Sequence, residues 1–179
     1  MKGRIRMLIS DVTSTALDEL YSSFFDLNAT LDRAVSIMLN NWAMPQASDI
    51  IHQKVAHATL VYADLISEIK DNYNVPSVRP AVHEDSREYE NLGVMFQTVL
   101  YEFKGVYEMI KKVIDIAMKN GDVNVVSDLV IFMSKFNKFF GMIVTLSDKA
   151  NQMPEMYDAF DRHITSWGID GFAPLSEKD

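Results

Sequence analysis

The sequence has no cysteine, which excludes disulfide staples, thiolate metal sites and cysteine nucleophiles. Glycine and proline are scarce, at seven and five residues, and they fall almost entirely between periodic segments. No glycine-rich phosphate loop, Ser-His-Asp order or zinc spacing is present. Positive charge is in deficit: 17 Lys and Arg stand against 25 Asp and Glu, a net charge of −8. That balance argues against binding a phosphate backbone, which requires a basic face, so no nucleic-acid partner is expected. Uninterrupted apolar runs are short. None approaches the roughly 18 residues of a membrane span, and Met7-Leu8-Ile9 is too brief for a signal-peptide core. The expectation is a cytoplasmic protein without a membrane partner.

What is present is helical periodicity. At 179 residues and 48% hydrophobic content, one domain with a proper core is expected. A first segment, residues 15–42, carries Leu17, Leu20, Phe24, Leu27, Leu31, Ala34 and Met38 in alternating steps of three and four. Thr15 is its expected cap, with Asp18 and Glu19 favouring the helix dipole. A second segment, residues 49–72, offers Ile51, Val55, Ala58, Tyr62, Leu65 and Ile69, and Ser48 with Asp49 is its expected start. A third opens at Asp85-Ser86-Arg87-Glu88 with capping-box spacing and continues through Leu92, Phe96, Val99, Phe103, Val106, Ile110, Val113 and Ala117. Asn120-Gly121 closes it, and Asp122 is the expected cap of a fourth, carrying Leu129, Phe132, Phe136, Phe139, Phe140, Ile143 and Leu146. A short fifth helix follows Pro154, with Tyr157, Phe160, Ile164 and Trp167 on one side.

Loop lengths bear on topology. The first-to-second and third-to-fourth connections are short, as in antiparallel hairpins. The second-to-third connection, residues 73–84, contains Pro76 and Pro80; extended at about 3.3–3.6 Å per residue, it reaches about 40 Å. That matches a helix of 25–30 residues at about 1.5 Å rise. An all-α, four-helix bundle with one long crossover is expected, divided as a segment 1–14, a bundle 15–150, a short helix 154–167 and a tail 168–179.

The residues that complete this picture are Glu19-Leu20-Tyr21-Ser22-Ser23, Asn72-Tyr73-Asn74-Val75-Pro76, and Phe96-Gln97 through Ala117-Met118-Lys119-Asn120-Gly121-Asp122. Over residues 15–165 they resemble the ferritin family, bacterial ferritins most closely. The resemblance implies a ferritin-like fold and a di-iron ferroxidase site built from glutamates, a histidine and an amide. Glu19 matches the first-helix glutamate. The second helix has Lys54-x-x-His57, or Ala58-x-x-Val61 in a second register, where the family has Glu-x-x-His. Phe103 stands at the third-helix glutamate, with Glu102 beside it, and Phe136 and Phe139 stand at the fourth-helix positions. Phenylalanine offers no ligand to iron, and lysine is cationic at neutral pH. The expectation is therefore a ferroxidase site converted to core, with a Glu19–Lys54 ion pair as local replacement.

The chain is similar in this to light-chain-type ferritin subunits, which lack the site yet assemble into shells. The expected function is a non-catalytic, self-assembling subunit, a homo-oligomer with no resident cofactor, able at most to store iron oxidised elsewhere. Two other readings stand beside it. One is a dimeric binding protein reusing the fold, and the other is a residual metalloenzyme in which Glu19, His57 and Glu102 join ligands from a neighbouring subunit. His52 and His57, five residues apart, are poorly spaced for one α-helical face, and His83-Glu84-Asp85 reads as the capping region of the third helix. Tyr101, Tyr107, Tyr157 and Trp167 have no place in a single seam and point to association.

Overall fold

Ser10 starts the first helix, its hydroxyl accepting from the Thr13 N–H at 3.2 Å. This lies a turn earlier than the expected start at Thr15, whose own hydroxyl instead donates back to the Asp11 carbonyl. The computed structural model describes residues 7–169. Its elements are α1 (Asp11–Asn40), α2 (Pro45–Ile50), a π-helical turn (Ile51–Ala56), α3 (His57–Asn72), α4 (Leu92–Lys119), α5 (Val123–Gln152), α6 (Tyr157–His163) and a 3-10 turn (Ile164–Trp167). The fold is all-α, and the described residues contain no strand.

Helix α4 shows why the chain folds this way. Leu92, Phe96, Val99, Phe103, Val106, Ile110, Val113 and Ala117 are all buried, forming one unbroken stripe. In α1 the seven seam residues from Leu17 to Met38 are buried as well. The stripe of α5 holds at Leu129, Phe132, Phe136, Phe139, Ile143 and Leu146, while Phe140 is half-buried. Each fully buried side chain of this size contributes about 1.5–3 kcal/mol.

Two further helix starts depart from the expectation, while the fourth helix starts after Asp122 as expected. Helix α4 begins at Leu92, not at Asp85; Asn91 caps it, accepting from the Val94 N–H at 3.0 Å. Asp85 lies in the connection before the helix, its carboxylate accepting from the Arg87 Nε at 3.0 Å. Asp122 makes no side-chain bond to its own helix. Its carboxylate instead accepts from the Ser10 hydroxyl at 2.8 Å, joining the starts of α1 and α5. The second rod begins at Pro45 and not at Asp49, because proline suits the first helical position. Gly121, at φ 77°, makes the short turn between α4 and α5.

Residues 73–91 connect α3 to α4 along the side of α1. Near the start, Leu8 N–H donates to the Tyr73 carbonyl, and the Arg79 guanidinium lies 5.5 Å from the centre of the Phe25 ring. Further on, His83 N–H donates to Asp26, Arg87 reaches the Thr30 hydroxyl at 2.7 Å, and Arg33 donates to the Arg87 carbonyl at 2.8 Å. The end of α3 meets the start of α5, where the Tyr73 hydroxyl donates to Asp128 at 2.7 Å. The start of α4 meets the end of α5, through Leu92 N–H to the Pro154 carbonyl and Gln97 to Asn151. Helix α6 closes that second end: Asp161 accepts from the Ala47 N–H at 2.7 Å, and Phe160 packs on Phe96. Ile169 is buried, so the core extends past the expected boundary at 168; residues 170–179 lie outside the described residues.

Helix α5 carries apolar residues outside as well as inside. Val123, Val130, Ile131 and Val144 are exposed. Although no uninterrupted apolar run is long, α5 is long and apolar enough to cross a membrane by length and composition, with only a third of that stretch buried. The expected surplus of unplaced aromatics is smaller than the sequence implies. Tyr107 stacks on Phe140, Tyr157 on Trp42 and Trp167 packs against Phe160, leaving Tyr101 exposed.

Candidate functional site

The positions matched to metal ligands on the third and fourth helices converge in space. Phe103 lies 4.9 Å from Phe139 and 6.1 Å from Phe136, ring centre to ring centre, and Phe136 is 6.1 Å from Phe139. All three are fully buried. Phe24 of α1 and Tyr62 of α3 complete the cluster, at 5.8 and 5.5 Å from Phe136. Tyr62 stacks flat on Phe139, while most of the others meet edge to face, an arrangement the ring quadrupoles favour. The Tyr62 hydroxyl donates to the Lys135 carbonyl, and burial raises its pKa well above the usual phenol range. A neutral phenol whose proton is committed to a carbonyl, among phenylalanines, does not fit iron, which needs anionic oxygen and imidazole ligands.

The three weaker candidates do not share a site. Glu19 points out of the bundle and pairs with Lys112 of α4 at 3.1 Å, not with Lys54. The interior positions of α1 are taken by its neighbours Leu20 and Phe24, so a carboxylate one residue before Leu20 faces the surface. Glu102 pairs with Arg87 at 2.8 Å. His57 is exposed and neighbours His52, with ring centres 4.6 Å apart. Among the described residues, no group of three or more His, Asp or Glu stands ready to hold a metal ion.

Spacing misled the reading of the two histidines, because the chain between them is not α-helical. At about 100° per residue, positions five apart in an α-helix diverge by about 140°. In the π turn the His57 N–H bonds to the His52 carbonyl, bringing both rings to one side. The turn is fastened from two directions. The Asn28 amide donates to the Ala56 carbonyl at 2.9 Å and the Thr59 hydroxyl donates to the same oxygen at 2.6 Å. Asp32 of α1 completes the neighbourhood, its Oδ1 3.7 Å from His52 Nδ1.

His83, Glu84 and Asp85 belong to the connection and not to a helix cap. His83 Nδ1 lies 2.9 Å from Asp26 Oδ1, and Arg87 bridges Asp85, Thr30 and Glu102 around a cleft of about 400 Å³. The Arg87 hydrogen bonds hold the Asp85 carboxyl below its usual range despite opposing burial. At the opposite end, the fully buried Lys70 ammonium is held by Asp18 and sits 5.2 Å from the centre of the Tyr21 ring. Both clusters tie the α1 surface to other parts of the chain, and each cation has a committed partner. No protein-family model matches the sequence, and no curated protein matches it.

Proposed function

We propose that this chain is a ferritin-like, non-catalytic subunit that assembles with copies of itself, its ferroxidase centre replaced by an aromatic plug. The observation that carries the reading is the meeting of Phe103, Phe136 and Phe139 at one buried point. These are the positions that the resemblance matches to ligands on the third and fourth helices. Phe103 and Phe139 are equally far from the Gly121 turn on the buried stripes of an antiparallel pair, so their meeting agrees with the resemblance without depending on it. The course of residues 73–91 beside α1, with the end of α3 at the start of α5, supports the long crossover of that family.

The plug has a physical consequence for chemistry. Oxidising ferrous iron at an intrahelical site requires ligands that hold the ion, and this interior supplies rings and methyl groups. Self-association is supported by the exposed valines and isoleucine of α5 and by Tyr101, 74% exposed. The test is dioxygen consumption on adding ferrous iron to the purified chain. Oxidation at the rate of protein-free buffer is expected. A saturable rate with a fixed iron stoichiometry per chain would overturn the reading.

A further inference from the structure

The outer face of α5 takes no part in the bundle interior or in the aromatic plug. We propose that it is a two-fold contact between two copies of this chain, their α5 helices packed antiparallel about the midpoint between Asn137 and Lys138. The inference rests on the self-assembly that the ferritin-like reading assigns to the chain, and it names the face and the geometry by which two copies meet.

Charge singles out both the face and its occupant. Between Val123 and Asp148 the exposed charged residues of α5 are Lys138 and Asp148, and they cancel. The other long helices differ. Helix α1 exposes Asp18, Glu19 and Asp32, and α3 exposes Asp64, Glu68 and Asp71, while the outside of α4 is studded with Lys104, Glu108, Lys112 and Asp115. A chain of net charge −8 repels its own copies through the acidic faces. It meets them with least repulsion through the face where neither copy brings net charge. A basic partner would select α1 or α3 instead.

Apolar surface and shape agree with this choice. Val123, Val130, Ile131 and Val144 are exposed along the helix. Gly141 stands in mid-helix, where glycine destabilises relative to alanine, and a Cβ there would meet nothing within 4 Å. Packing within the chain gives no reason for this glycine, whereas a close-packed neighbouring helix does. Gly105 of α4 is open too, but it stands among Lys104, Glu108 and Lys112. An end-to-end antiparallel pair sets Ser134 of each copy level with Gly141 of the other, and Val130 level with Val144. It places the positive end of each helix dipole beside the negative end of the other. The two Asp148 carboxylates are then about 30 Å apart along the axis, where a parallel pair would set them side by side. Lys138, near the midpoint, keeps its ammonium in water while its stem covers apolar surface.

The absence of cysteine makes the test direct, since an introduced thiol has no competitor in its own chain. Under mild oxidation Asn137→Cys should form a covalent dimer, because its two Cα atoms come within the roughly 4.4–6.8 Å that a disulfide spans. Val130→Cys alone should not, its copies lying about 20 Å apart along the axis. Mixed with Val144→Cys, it should link. Gly141→Leu should weaken association about tenfold or more by holding the helices apart, with circular dichroism showing an unchanged fold. Self-linking of Val130→Cys would make the pair parallel and overturn the proposal. Failure of either expected link, while the parent's mass is a multiple of 20.4 kDa, overturns it as well but leaves the self-assembly reading standing. A parent of 20.4 kDa at every concentration removes both. Sedimentation with phosphatidylcholine vesicles that Val130→Glu abolishes would assign the face to a lipid surface and overturn the proposal too.

Discussion

Phe136→Ala is the perturbation that probes the plug most sharply. The ring is fully buried and lies within 6.5 Å of the ring centres of Phe24, Tyr62, Phe103, Phe132, Phe139 and Phe140. Truncation removes the transfer energy of the ring and leaves a void that its neighbours fill only partly, because four separate helices hold them. A buried Phe→Ala change costs about 3–5 kcal/mol. The dense aromatic contacts, each contributing about 0.5–1.5 kcal/mol beyond area burial, place this site toward the upper end. In a chain of this size about 1 kcal/mol shifts the melting midpoint by about 2–4 °C, so the variant should melt about 6–20 °C lower. Urea denaturation at fixed protein concentration is the assay, with the slope of the transition compared to separate a stability change from a changed unfolded state. Tyr101→Ala, at an exposed ring, serves as control and should stay within about 0.5 kcal/mol. A loss below about 1 kcal/mol for Phe136→Ala would refute the plug.

Asp122→Ala should cost about 0.5–2 kcal/mol in the same assay, because the carboxylate holds Ser10 at the start of α1. Arg87→Ala should leave the folded bundle intact but speed proteolysis within residues 73–91, since it releases Asp85, Thr30 and Glu102 together; unchanged cleavage would show that the connection is held elsewhere. Acid should act on the same cluster. The Asp85 carboxyl is lowered in the folded chain, so its contribution is complete above the unfolded carboxylate value of about 3.9 and is lost as pH falls through the lower folded value. Arg87→Gln should flatten that part of the stability–pH curve, and an unaltered acid limb would contradict the assignment. Asp18→Asn should destabilise by about 1–3 kcal/mol by weakening the ion pair that holds the buried Lys70 ammonium, whereas Lys70→Met should be close to neutral.

Much of the interior was legible in the sequence because hydrophobic spacing is a local property. The steps of three and four in α4 run without interruption from Leu92 to Ala117, and every member is buried. Positions 103, 136 and 139 could likewise be read as core, since a phenylalanine within such a stripe has no better destination. Helix starts were less legible. Asp122 was legible as the residue that precedes α5, but its bond to Ser10, 112 residues away, forms only once the bundle has formed and gives no local signal. Asp85 and Glu88 have the spacing of a capping box, but Arg87 and Arg33 draw their carboxylates into ion pairs instead. The histidine pair was hidden for another reason. Judging His52 against His57 assumed 3.6 residues per turn, and the π turn breaks that period where they lie. Its fasteners, Asn28 on another helix and Thr59 beyond the turn, are tertiary and give no periodic signal.

The central claim joins a closed aromatic interior to self-assembly, and the mass of the particle in solution tests it most directly. Light scattering on size-fractionated, chelator-stripped chain across a wide concentration range is sufficient. The account predicts one discrete species whose mass is a whole multiple of the 20.4 kDa chain and which persists on dilution. A stable particle of 20.4 kDa at every concentration would contradict it, leaving the exposed face of α5 without the partner the account assigns to it.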